Sequence, residues 1–109
     1  MTWKPILSLV LVMLVGLSLD VLAQEKSAEV EKFFESKVRP LLVERCHKCH
    51  AGTMSKGKLR LDSREALLRG GETGPAVVAG KPDESLLMKA VRHQDGLAMP
   101  PNGKLSEAQ

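Results

Sequence analysis

An all-α domain is what this sequence predicts, on three observations. Apolar residues recur with a helical period near the start of the domain (Val30, Phe33, Phe34, Val38). A capping pattern at Asp62 closes on a glycine pair, Gly70-Gly71. A third segment, Pro82 to His93, carries its acids first and its bases last. No segment alternates polar and apolar in the way a half-buried strand does.

The first helix is expected from Glu25 to about Arg39, with charges between its apolar positions. Pro40 is expected to end or kink it, because proline lacks the donor that the helix interior needs. Leu41 to Arg45 then reads as a short turn leading into the chain's only two cysteines. Phe33 and Phe34 are expected to pack in the core. The second helix is expected from a cap at Asp62, with Glu65 as the reciprocal partner, through Leu68 or Arg69. In the third, Pro82, Asp83 and Glu84 suit the positive end of the dipole, and Lys89, Arg92 and His93 the negative end. Gln94 to Lys104 reads as a loop, and Leu105 to Gln109 as the beginning of a fourth helix with Ser106 as its cap.

The 109 residues allow one domain. Residues 1–23 are expected to be a signal peptide rather than part of it. Lys4 supplies the basic region, Pro5 to Leu19 an uncharged apolar run, and Val21 and Ala23 the small-residue positions before a cleavage site. That run is short of the roughly 20 apolar residues a bilayer span needs, so no stable membrane span is expected; an uncleaved anchor is the alternative. The domain then covers residues 24–109, with Phe33 and Phe34 as its only aromatic residues. So small a core would gain much from a large apolar prosthetic group. The net charge of +3 is spread along the chain without interleaved aromatics, which argues against nucleic acid as a partner.

Chemistry concentrates in Arg45-Cys-His-Lys-Cys-His50. A structural zinc site needs four ligands, and this motif supplies three at most, with His93 a distant fourth. A thioredoxin-like dithiol normally opens a helix after a strand, and no strand pattern precedes Cys46. Covalent haem attachment uses the whole motif: Cys46 and Cys49 add to the two vinyl groups and His50 ligates the iron. His47, in a spacer position, is expected to face solvent. For a sixth ligand, Met54 lies too close to His50 in sequence, and Met88 reads as helix packing. Met99, held in a stiff loop before Pro100-Pro101, is the preferred ligand, with His93 as runner-up.

Three stretches, "FFESKVRPLLVERCHKCH", "GKLRLDSREALLRGGETGPAVVAGKPDESLLMKAV" and "MPPNGKLS", together resemble the planctomycete-type cytochrome c domain. The resemblance implies a small class I-like cytochrome c fold around a covalently bound haem c, on Cys46, Cys49 and His50, with Met99 as distal ligand. It also implies a C-terminal helix packed on the N-terminal one, and often a longer secreted protein downstream. This chain stops at Gln109, where that helix would begin. The C-terminal helix is therefore expected to be missing or incomplete, leaving the face of Val30, Phe33, Phe34 and Val38 partly exposed. The function expected is periplasmic or secreted one-electron transfer to a redox protein partner. The alternatives are a haem module of a larger oxidoreductase, a five-coordinate haem with peroxidase-like reactivity, and a fragment that never receives haem. Arg60 is expected either to meet a haem propionate or to be a plain surface residue.

Overall fold

A computed structural model describes residues 20–109, in two units that divide between Lys37 and Val38. The leader expected over residues 1–23 lies mostly outside the described residues; 20–23 are helical and exposed. Among the described residues, no helix is long and apolar enough to cross a membrane.

In the first unit, residues 20–33 form helix α1, followed by a π-helical turn, Phe34–Val38, that reaches the boundary. Val30 and Phe33 are exposed, at 63% and 61%, and Phe34 is half-buried. Core packing of Phe33, expected from the helical period, is therefore not observed. A stripe of that period specifies one face of a helix, but it does not supply the surface that covers the face.

The second unit opens on α2 (Arg39–Arg45), so the turn expected at Leu41 to Arg45 is helical. Pro40 starts this helix rather than ending the one before it. In the first turn a proline's missing N–H has no acceptor to serve, and the π turn upstream absorbs the shift in register. Cys46 (φ −124°, ψ −39°) is the joint to a single further turn, α3 (His47–His50). Its N–H donates to the Leu42 carbonyl at 2.9 Å, and Leu42 is buried.

After α3 the chain reverses through Gly52-Thr53, with Gly52 at φ +60°, in a minimal hairpin. Its returning arm is the two-residue strand β1 (Met54–Ser55), with Ser55 facing His50 and Met54 facing Ala51. The segment 59–62 then runs back beside the motif, the Leu61 N–H donating to the His50 carbonyl at 2.7 Å.

Helix α4 (Arg64–Arg69) is capped by Ser63, whose Oγ accepts from the Ala66 N–H at 3.1 Å. The expected cap, Asp62, is drawn away by Arg60 and by the Gly52 N–H. Gly70 ends the helix at φ 72°, ψ −156°, a region essentially reserved for glycine. A Cβ there would also collide with the Gly74 carbonyl. Gly70→Ala is expected to cost about 3 kcal/mol from the backbone conformation alone. Thermal melting of both proteins checks this; an unchanged midpoint would contradict it.

The third expected helix is split. Pro82–Glu84 forms a 3₁₀ turn and α5 runs from Leu86 to Val91. Ser85, between them and 2% exposed, explains the break. Its Oγ accepts from the Val78 N–H (2.9 Å) and donates to the Lys81 carbonyl (2.9 Å), so it latches the preceding loop rather than capping α5. Asp83 and Lys89 are likewise taken up by ion pairs, with Arg92 (2.8 Å) and Asp95 (2.9 Å). Residues 94–104 are irregular, as expected. At 105–109 there is one turn in place of a helical start, because Ser106 donates its N–H and hydroxyl to Gln109 Oε1.

Among the described residues, the buried apolar ones are Leu42, Leu61, Ala66 and Ala76. They come from α2, the returning segment, α4 and the following loop. The domain is all-α, with a small core.

Candidate functional site

Cys46, Cys49 and His50 lie on one helical turn, closed by the N–H groups of Cys49 (3.1 Å) and His50 (3.0 Å) donating to the Cys46 carbonyl. Positions i, i+3 and i+4 share a helix face, so both thiols and the imidazole belong to one side of this turn. Both cysteines are free and half-buried. Burial pushes the Cys46 thiol above its usual range, with Arg45 opposing the shift. A dithiol nucleophile wants the opposite, a thiolate stabilised near neutrality.

The His50 imidazole is oriented from behind. Its Nδ1 lies 3.2 Å from the Leu59 carbonyl, which can only accept, so Nδ1 carries the proton. That leaves Nε2 with a lone pair, the tautomer a metal-ligating histidine requires. His47 departs from expectation. It is half-buried, and its Nε2 donates to the Leu61 carbonyl at 3.0 Å. The spacing of the motif says nothing of this contact, which depends on the chain returning at 59–62.

Asp62 secures that return. Its carboxylate accepts from the Gly52 N–H (3.0 Å) and from Arg60 (Nη2 2.6 Å, Nε 3.2 Å), so Arg60's guanidinium is engaged here. These partners lower the Asp62 carboxyl to about 2, the Arg60 hydrogen bond contributing most. A carboxylate depressed in the fold stabilises above its ordinary pKa and loses that contribution as pH falls towards 2. Acid is therefore expected to loosen the 50–62 hairpin between about pH 4 and 2. Asp62→Asn should flatten this part of an acid titration followed by amide exchange at Gly52.

Met99 lies in the loop after α5. Its N–H donates to the Ala90 carbonyl at 3.0 Å, and the residue is 43% exposed. Four residues on, the Gly103 carbonyl accepts from Arg45 Nη2 at 3.4 Å, tying the loop to the residue just before Cys46. Met54 is exposed at the hairpin, Met88 is half-buried in α5, and His93 is exposed at φ +57°. Among the described residues, no three His, Cys, Asp or Glu side chains converge as a metal-binding group.

The donor set is thus two thiols and one imidazole of fixed tautomer on a single face, which fits covalently held haem. A family model described as planctomycete cytochrome C matches residues 46–103, just over half of the chain. The chain belongs to that family. The match begins on Cys46 and runs past Met99, so it spans the motif, the returning segment and the candidate distal loop. No curated protein and no solved structure matches the chain. At the level the family supports, the domain is a haem-binding, electron-transferring cytochrome c.

Proposed function

We propose that this cytochrome is an exported one-electron carrier whose haem c is held by thioethers at Cys46 and Cys49, with His50 and Met99 as axial ligands. The observation that carries the reading is the His50 Nδ1–H donated to the Leu59 carbonyl, beside two free thiols on the same turn. The bound haem would supply the Fe(III)/Fe(II) couple. The chain's contribution is positional. The α3 turn presents both thiols, and the Leu59 carbonyl places the neutral ring's proton on Nδ1, leaving Nε2 as the nitrogen that would meet the iron and strengthening it as a donor. The bonds from Met99 to Ala90 and from Gly103 to Arg45 brace the loop that would offer the Met99 sulfur. Soft sulfur favours Fe(II) and raises the potential.

Export is supported by the leader-like sequence of residues 1–23, and the carrier would serve a redox protein partner. The test is a potentiometric titration followed by visible absorption, on protein made with a periplasmic haem-attachment system. A single one-electron transition with the sharp reduced bands of low-spin haem c is expected. A high-spin spectrum in both oxidation states would instead favour an open iron and peroxidase-like chemistry.

A further inference from the structure

His47 occupies the spacer of the motif and Asp62 lies twelve residues beyond His50, yet both act on the same short segment. His47 donates to the Leu61 carbonyl, and His50 donates to the Leu59 carbonyl two residues earlier. In an extended segment, carbonyls two residues apart point to one side, so 59–61 offers two acceptors to two imidazoles three positions apart on one helix. The Leu61 N–H returns a bond to the His50 carbonyl at 2.7 Å. At the far end, Asp62 ties the segment to Gly52, two residues past the motif, and Arg60 holds that carboxylate in place. Leu61 itself is 4% exposed and anchors the segment in the core.

We infer that His47 and Asp62 are positioning residues for the axial ligand: together they clamp the 59–62 segment, and so fix the carbonyl that orients the His50 imidazole. The inference rests on His50 being the iron ligand. Neither residue needs to touch the haem. Without His47 the segment keeps, besides the His50 bond it orients, Asp62 as a side-chain tether, and without Asp62 the hairpin loses its bond at Gly52. In both cases the Leu59 carbonyl drifts from His50 Nδ1.

The experiment is proton exchange at His50 Nδ1, read by NMR on the haem-loaded protein labelled at histidine nitrogen. Losing one tether of ordinary hydrogen-bond strength is expected to speed exchange about tenfold in His47→Ala and in Asp62→Ala. His47→Gln, which keeps a side-chain N–H donor, should restore most of the protection. Ser85→Ala removes the other buried latch and measures general loosening; it should leave His50 exchange within about twofold of the original. Exchange unchanged in both alanine variants would overturn the inference, as would equal acceleration in Ser85→Ala. Should an alanine variant fail to hold haem, Asp62→Asn replaces it, keeping an oxygen for Gly52 while dropping the charge facing Arg60. Its exchange should fall between the two extremes, and a rate equal to the original would count against the clamp. Failure of the underlying reading shows separately, as an unsubstituted protein without the haem c spectrum. The same proton, followed in that haem-free chain under the same criteria, then still decides the clamp.

Discussion

Replacing both Cys46 and Cys49 by Ala is expected to abolish covalent haem, leaving any bound haem extractable into acidified organic solvent. The thiols are the only two in the chain, both free and on one turn, so no other side chain can form the thioethers. The substitutions should cost the polypeptide little by themselves, since both side chains are only half-buried and alanine favours the helical turn. Loss of haem with retained helical circular dichroism would therefore report the attachment chemistry. Haem that stays with the chain through denaturation and extraction would show that the cysteines are not its anchors.

Met99→Ala carries the second large expected effect. Under the proposed ligation, removing the sulfur takes away a ligand that would favour Fe(II), so the midpoint potential should fall. A tenfold loss of preference for Fe(II) is about 59 mV for one electron, and a fall of at least that size is expected. The weak absorption band of a sulfur-ligated ferric haem should vanish with it. Because the Met99 backbone, not its side chain, bonds Ala90, the loop should keep its place in the variant. An unchanged potential and spectrum would exclude Met99 and return attention to His93, exposed at the end of α5. Both substitutions leave His47 and Asp62 intact, so neither depends on the clamp inferred above.

What was legible in the sequence follows from which interactions are local. The cysteine motif, the glycine at the end of α4 and the irregular loop before Lys104 were all readable, because each depends on residues within a turn of one another. The helix around Pro40 was misplaced because proline's effect depends on where a helix starts, and only the observed π turn settles that. Asp62 has good local credentials for a helix cap but is claimed by the more distant Gly52, and the expected third helix breaks at Ser85 because that hydroxyl is claimed by Val78. His47 is the clearest case. A spacer histidine looks like surface until the chain returns fourteen residues later and offers it the Leu61 carbonyl. Phe33 shows the converse, an apolar stripe read correctly as one face of a helix but exposed in the structure.

The most direct test is an intact-mass measurement on the denatured protein after thiol alkylation, following expression with a haem-attachment system. The expected result is a chain carrying one haem, with neither Cys46 nor Cys49 open to alkylation. A chain without haem and with two alkylated cysteines would contradict covalent attachment, and with it the function proposed for this cytochrome.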